Sequence, residues 1–158
     1  MITVKINGEE RQYPQGATYE DVANDYQKEY DNLIALAARD GKIRELFKKL
    51  TRDCEITFFT LKDDVGNKTY VRSATMLFLK AVFDVFGRET VQNCRVEFAI
   101  GNGSYISPQG KINATEENAA KIRNRMRELV EAKTPFLKKS YSLDNAMELF
   151  RREGMKDK

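Results

Sequence analysis

The stretch that most constrains the fold is Val71 to Gly87, VRSATMLFLKAVFDVFG. Its apolar residues recur at steps of three and four, which is the period of an α-helix. Leu77 and Phe86 widen this apolar face, so the pattern predicts a helix that is buried on most of its circumference. Gly87 stands where a helix would end with a left-handed residue. We therefore expect one long core helix near the middle of the chain.

The beginning of the chain has the pattern of a β-hairpin followed by a helix. Ile2 to Ile6 alternates with period two, and Asn7-Gly8 is a dipeptide favoured in tight hairpin turns. The returning strand is predicted through Arg11 to Tyr13. Thr18 is predicted to cap a helix whose third residue is Asp21. The inner face of that helix is expected to carry Val22, Ala23, Tyr26 and Tyr30.

Two later apolar segments, Leu33 to Ala38 and Cys54 to Thr60, predict strands. Asp40-Gly41 is predicted as a turn, and Lys48 to Asp53 as a charged loop. The order of hairpin, helix, strand, short elements and strand is that of a β-grasp domain.

These segments also carry a resemblance to a known family. The motifs are ING, then G-x-T-x-x-D-V-A, then A-R-D-G-K-I-R-E-L, then D-C-E-I-T-F-F-T. In this order and spacing they resemble a TGS domain, the β-grasp module at the N-terminus of threonyl-tRNA synthetases and inside some GTPases and stringent-response enzymes. The resemblance covers residues 1 to 62. It implies a regulatory module, or one that contacts RNA or nucleotides, without catalytic residues.

The second half of the chain is predicted to follow a short polar linker, Lys62 to Thr69. After the core helix, Val91 to Ile100 is predicted as a strand with Val96, Phe98 and Ile100 on one face, and Ser104 to Ser107 as the start of another. Pro108-Gln109-Gly110 is expected to be a loop.

Two further helices are predicted near the end. Either Asn113 or Thr115 caps the first, whose core stripe is Ile122, Met126, Leu129 and Val130, and Thr134-Pro135 ends it. Ser142 is predicted to cap the second, Leu143 to Arg152, with Ala146, Met147 and Phe150 facing inward.

This half contains I-R-N-R-M-R-E-L-V, then T-P-F, then S-L-D-N-A-M-E-L-F. These motifs resemble the second N-terminal domain of threonyl-tRNA synthetases, which alanyl-tRNA synthetases and editing proteins share. Together the two resemblances imply an α+β fold: a TGS β-grasp domain at 1–62 and a synthetase-like domain at 63–158. They also imply that this second domain is incomplete at its C-terminal end, so we expect the chain to be an N-terminal fragment.

The chain contains no histidine. Nucleophiles activated by an imidazole and zinc sites with histidine ligands are therefore excluded. In the editing family the central helix carries H-x-x-x-H, and R-S-A-T-M occupies those five positions here, so Arg72 and Met76 replace the two histidines. A guanidinium repels a metal and a thioether has no acid–base role. We expect no catalytic residue, no metal and no editing by the family's mechanism, and we expect Met76 to serve packing.

Two groups of residues are candidates for binding. Arg72 has two interpretations, a structural ion pair or an anion contact in the former editing site, where Lys80 and Tyr105 would join it. The basic loop residues Lys48, Lys49 and Arg52 are candidates for contact with RNA or phosphate, the alternative being a solvated loop.

The cysteines, the net charge and the apolar segments indicate where the protein is located and which partners it could bind, but not which reaction it could catalyse. Cys54 and Cys94 stand far apart with no ligand-spaced partner, which favours two reduced thiols. The net charge of +3 permits an anionic partner without arguing for one. There is no run of about 18 apolar residues and no signal-peptide pattern at the start, so we expect no membrane contact and a cytoplasmic location.

A TGS domain followed by a histidine-depleted second domain resembles the N-terminal region of bacterial uridine-kinase-like nucleoside kinases. This implies a non-catalytic regulatory or ligand-binding module, with its own downstream catalytic domain as partner. The chain has no G-x-x-x-x-G-K-[ST], so ATP and Mg²⁺ would belong to the parent kinase and no cofactor to this fragment. The alternative is an accessory module that binds tRNA or other RNA, or an N-terminal fragment of a threonyl-tRNA synthetase-like ligase.

Overall fold

The computed structural model describes residues 1–101, 103–108 and 113–154. The fold class is α+β, as predicted. The backbone divides into two compact units, Met1–Thr75 and Met76–Lys158. The division predicted from the sequence, between residues 62 and 63, concerns relatedness to two families and stays a prediction.

The first unit is built on a five-stranded sheet with the strand order β2-β1-β5-β3-β4. The central strands β1 and β5 run parallel, and the other neighbouring pairs are antiparallel. One helix, α1, lies between β2 and β3 in the sequence. This is the predicted β-grasp, and its elements are β1 (Ile2–Ile6), β2 (Glu9–Tyr13), α1 (Tyr19–Tyr26), β3 (Ile34–Arg39), β4 (Lys42–Arg44) and β5 (Cys54–Thr60).

Local chemistry explains where the hairpin turns and where α1 begins. Asn7 and Gly8 both have positive φ, 51° and 88°, which is the geometry that tight hairpin turns require. Thr18 closes a capping box with Asp21. Its hydroxyl accepts the Asp21 N–H at 3.1 Å, and the Asp21 carboxylate accepts the Thr18 N–H at 2.7 Å. Both features were predicted from the sequence and are confirmed.

The core of the first unit lies between α1 and one face of the sheet. Tyr19, Val22, Ala23 and Tyr26 of α1 are buried there, together with sheet residues that include Val4, Ile6, Ala37, Ile56 and Phe58. Tyr30 follows a single 3-10 turn, and its ring meets that of Phe58 edge-on at 6.1 Å. The predicted inner face of α1 is therefore confirmed, with Tyr30 placed just beyond the helix.

The central helix, α2 (Asp64–Phe86), begins earlier than the sequence pattern predicted. Most of the expected linker, from Asp64 to Thr69, forms the first turns of this helix. Asp63 starts it, because its carbonyl accepts the Asn67 N–H at 2.8 Å. Gly66 belongs to the segment predicted as a linker, but it is buried in this first turn. A Cβ placed there would lie 2.0 Å from the Thr60 carbonyl oxygen, so the backbone approach itself requires glycine.

The expectation that α2 is buried on most of its circumference is wrong. Ala81 and Val82 are fully buried, but Val71 is 43% and Met76 is 63% exposed. The predicted end is confirmed, because the helix stops at Phe86 and Gly87 has a φ of +84°. The helical period thus located the apolar stripe correctly but overstated how far around the helix it is covered.

The second unit continues with a short helix, a hairpin and two helices. They are α3 (Arg88–Gln92), β6 (Cys94–Ile100), β7 (Gly103–Pro108), α4 (Glu116–Glu131) and α5 (Leu143–Arg152). Val91 belongs to α3 rather than to the strand, which corrects the predicted start of β6. Val96 and Phe98 are exposed, and a bulge between them breaks the predicted alternation. The predicted loop residues Gln109 and Gly110 lie outside the described residues.

Each of the last two helices is capped at its N-terminus by one side-chain hydroxyl group that accepts a backbone N–H. The Thr115 hydroxyl accepts the Asn118 N–H at 3.3 Å, which decides between the two predicted caps of α4. The helix ends at Glu131 rather than at Thr134, because Lys133 adopts a left-handed φ of 49°. Val130, predicted in the core stripe, is 61% exposed, whereas Leu129 is buried. The Ser142 cap and the bounds of α5 are confirmed.

The inward face predicted for α5 is only partly buried. Ala146 and Phe150 are half-buried, whereas Met147 is exposed. Of the helices that the structure describes, none is both long and apolar enough to cross a membrane.

Candidate functional site

The predicted basic loop of the first unit is partly neutralised by its own neighbours. The Lys48 ammonium pairs with the Glu45 carboxylate at 2.9 Å, and the Arg52 guanidinium pairs with the Asp40 carboxylate at 3.1 Å. Lys49 is exposed, and its backbone bridges to Thr18. Exposed pairs of this kind contribute little to stability, about 0–1 kcal/mol each. Contact of Lys48, Lys49 and Arg52 with RNA or phosphate stays a prediction.

Arg72 and Met76, which the resemblance aligns with the two editing histidines, lie on exposed parts of α2. Arg72 is exposed and forms neither a hydrogen bond nor an ion pair with any residue that the structure describes. The prediction that Met76 serves packing is wrong, because its side chain is largely exposed. An anion contact by Arg72 is untested and stays a prediction.

Lys80 and Tyr105, the proposed companions of Arg72, have other partners. The Lys80 ammonium pairs with the Asp84 carboxylate one turn along α2 and lies 5.4 Å from the centre of the Phe83 ring. The Tyr105 ring on β7 stacks on that of Phe98, with 5.1 Å between centroids. Both side chains are therefore engaged within the second unit.

A groove that sequence reasoning missed lies between α2, the β6–β7 hairpin and α4. Its volume is about 570 Å³, a size typical of small-molecule pockets. The apolar part of its lining is formed by Phe78, Val82, Ile106, Ala114, Ala119, Ile122 and Met126, and the polar part by Cys94, Ser104, Asn113, Thr115, Glu116, Asn118 and Arg123. These residues come from separate elements, so no local motif marks the groove.

Strand and helix periodicity explain why the two predicted companions are outside this groove. Ser104 and Ile106 line it, and successive residues of a strand point to opposite faces, so Tyr105 lies on the other side of the hairpin. Phe78 and Val82 line it from α2, and Lys80 lies about 200° around the helix from each of them. Ligand binding by Lys80 or Tyr105 would therefore use a different surface.

An ion-pair network stabilises the second unit near the groove. The Asp84 carboxylate accepts hydrogen bonds from Lys80 and from Arg125 Nε, the latter at 2.9 Å, and Arg125 also binds Glu128 at 2.7 Å. The hydrogen bond from Lys80, followed by that from Arg125, lowers the pKa of Asp84. The side chain of Asp84 is 15% exposed, so this carboxylate is better shielded from water than the loop pairs described above.

Both cysteines are free, half-buried thiols. Burial raises the pKa of Cys54 on β5 and of Cys94 in the groove. A thiol with a raised pKa is mostly protonated at neutral pH and is a poor nucleophile. Within the described ranges, no three His, Cys, Asp or Glu side chains come together as metal ligands would.

Comparison with known proteins gives the chain a clear set of relatives. No protein-family model matches it. Threonine–tRNA ligase from Thermotoga maritima is 29% identical over 160 residues, that from Maricaulis maris 28% over 155, and that from Carboxydothermus hydrogenoformans 26% over 155. Each alignment covers 98% of this chain and 24% of the relative. The chain therefore spans about a quarter of the length of these curated relatives and is similar to threonine–tRNA ligases over nearly its whole length.

Proposed function

We propose that the chain is a non-editing module that contacts tRNA, related to the N-terminal region of threonyl-tRNA synthetases. The observation that carries this proposal is the alignment of 98% of the chain with proteins named threonine–tRNA ligase. The relatives act on tRNA by name, and the β-grasp fold agrees with the TGS resemblance. Because the chain has no imidazole, it would hold RNA rather than hydrolyse an aminoacyl ester.

Binding to threonine tRNA at a series of salt concentrations tests the proposal. With fluorescence anisotropy, the logarithm of the association constant should fall linearly with that of the salt concentration, by about 0.7–0.9 per phosphate contacted. A DNA duplex of equal charge is the control for non-specific attraction. Absence of binding at low salt, or affinity that does not change with salt, would contradict the proposal.

A hydrolysis assay tests the non-editing part separately. A mischarged threonine tRNA mixed with the chain should lose its amino acid no faster than in buffer. Hydrolysis above that background would contradict the non-editing part, because it would show that groups other than histidine catalyse hydrolysis of the aminoacyl ester.

The kinase setting predicted from the sequence finds no support among the relatives reported above, and it stays a prediction. In that setting the downstream kinase domain would be the partner, ATP and Mg²⁺ would bind there, and this module would sense a nucleotide. Tighter binding of ATP or uridine than of tRNA would favour it. Incubation with ATP and uridine should give no phosphorylated uridine, because the chain has no P-loop. A cytoplasmic location likewise stays a prediction.

A further inference from the structure

The two tyrosines of α1 have hydroxyl groups that are buried without an acceptor. Tyr19 and Tyr26 are each 1% exposed, and neither O–H has an acceptor among the described residues, although Arg39 lies close enough to the Tyr19 oxygen to act as a donor. A buried hydroxyl without a partner costs about 1–3 kcal/mol, so such groups are uncommon unless something outside the chain satisfies them. The two tyrosines differ in the charged side chains around them: arginines surround the Tyr19 hydroxyl, whereas Tyr26 has several carboxylates nearby.

Tyr19 faces two arginines at the end of the sheet. Arg44 pairs with Ala37 across β4 and β3, and Arg39 lies two residues after Ala37 on the same strand. Opposite and alternate residues share a face of the sheet, so both arginines lie on the face that packs against α1. Such diagonal neighbours lie about 7–8 Å apart, with a somewhat shorter distance between their Cβ atoms, which lets two guanidinium groups reach one anion.

The charged side chains that act on the Tyr19 hydroxyl are two arginines and no carboxylate, although Arg39 also lies close to Asp40. Arg39 Nη1 donates to the Thr51 hydroxyl at 3.0 Å, and Arg44 Nη1 donates to the Ile43 carbonyl at 3.0 Å. Neither arginine forms an ion pair with any carboxylate in the described ranges. Burial raises the pKa of Tyr19, and Arg39 and Arg44 oppose that rise, which places both positive charges near its hydroxyl.

Tyr26 has the opposite surroundings and serves as an internal comparison. Arg11 lies 4.3 Å from the centre of its ring, but this guanidinium already pairs with Glu9 at 3.6 Å and Glu29 at 4.0 Å. Burial and the carboxylates of Glu9, Glu29 and Asp25 raise the pKa of Tyr26, and only Arg11 opposes them. An anion would be repelled there, so the orphan hydroxyl of Tyr26 gives no site.

We propose that Arg39, Arg44 and the Tyr19 hydroxyl form a binding site for a phosphate group at the β3–β4 end of the β-grasp sheet. Two guanidinium forks match the tetrahedral oxygens of a phosphate, and the hydroxyl supplies a further donor. The site rests on the proposed function only for the source of the phosphate, which would then be the RNA backbone. It differs from the basic loop predicted from the sequence, whose Lys48 and Arg52 are already paired.

Nuclear magnetic resonance titration of the full chain with inorganic phosphate, at constant ionic strength in sodium chloride, tests the site directly. Phosphate should shift the amide signals of Tyr19, Arg39 and Arg44. Arg39→Met and Arg44→Met should each weaken phosphate binding about tenfold. The matched control Arg11→Met should change it less than about twofold, because Arg11 lies over the other buried tyrosine of α1 but is paired with carboxylates.

The hydroxyl has its own matched pair of variants. Tyr19→Phe should weaken phosphate binding by about threefold or more, whereas Tyr26→Phe should not. Urea unfolding of each variant without phosphate shows that it remains folded. Absence of binding by the unmodified chain at millimolar phosphate, or equal losses in Arg11→Met and Arg39→Met, would overturn the site.

Labelled tRNA separates the site from the proposed function. If Arg39→Met weakens both phosphate and tRNA binding, the site is supported as the RNA contact. If phosphate binds here but tRNA does not bind the chain, the site stands and the proposed function fails. If tRNA binds equally well to Arg39→Met and to Arg11→Met, the proposed function stands and the site is wrong.

Discussion

Gly66 gives the sharpest test of how the first unit is packed. In an exposed helix, replacing glycine with alanine stabilises a protein by about 1 kcal/mol, because alanine has the better helix propensity. At Gly66 the added Cβ would lie 2.0 Å from the Thr60 carbonyl oxygen and 2.8 Å from its carbon. An ordinary C···O contact is about 3.3–3.6 Å. The backbone at the end of β5 would therefore have to move by more than about 1 Å.

Gly66→Ala should consequently destabilise the first unit. Overpacking of this kind costs about 1–3 kcal/mol, and backbone that cannot rotate away places the cost near the upper end. After the propensity gain is subtracted, we expect a loss of about 2 kcal/mol in the free energy of unfolding. The measurement is urea unfolding followed by the amide resonances of β1 and β5, whose midpoint should fall by about 1 M.

The neighbouring position supplies the control for Gly66. Asn67 is exposed in the same helical turn, and Asn67→Ala should raise stability by a few tenths of a kcal/mol, about the difference in propensity. If Gly66→Ala proves as stable as the unmodified chain, or more stable, the close approach to Thr60 is wrong and with it the reason given for glycine at this position.

Two further predictions concern a cap and a carboxylate. Thr18→Ala should destabilise the first unit by about 1 kcal/mol because the capping box is lost, whereas Thr18→Ser keeps the hydroxyl and should cost less; equal urea midpoints for the two variants would contradict this. The lowered pKa of Asp84 means that its pairing stabilises the second unit above the unfolded-state pKa of about 3.9 and is lost as the pH falls through the folded-state value. Asp84→Asn should therefore be less stable than the unmodified chain at pH 7, and the difference in unfolding free energy should shrink as the pH falls below about 3.9; a difference independent of pH would refute the ion-pair explanation.

Much of the fold was open to prediction because its signals are local. Asn7-Gly8 fixes a hairpin through backbone conformations that few other residues adopt, and Thr18, Asp21 and Ser142 mark helix starts through bonds that span three residues. The pattern of Cys54 to Thr60 gave the bounds of β5 for the same reason. Periodicity and caps need no knowledge of distant contacts, so one sequence suffices to read them.

The candidate sites were less predictable because they depend on charges and faces brought together from afar. Lys48 and Arg52 looked like free cations in the sequence, but Glu45 and Asp40 neutralise them in space. Tyr105 was predicted to line a pocket with Lys80. Successive side chains of β7 point to opposite faces, so Tyr105 lies on the face away from the groove. A sequence shows which residues carry charge, but pairing is decided by geometry.

The sequence by itself determined the order of elements in the β-grasp and the absence of histidine chemistry, because residue types and local periods carry that information. Only the tertiary structure showed that α2 starts at Asp64. Glycine is required at position 66 because the helix backbone packs against the Thr60 carbonyl, a contact that the sequence does not reveal. The tertiary structure also decided which arginines form no ion pair with a carboxylate among the described residues. Arg39 and Arg44 share the face of the sheet that packs against α1 because of the register of β3 with β4, and no short stretch of the sequence shows that register.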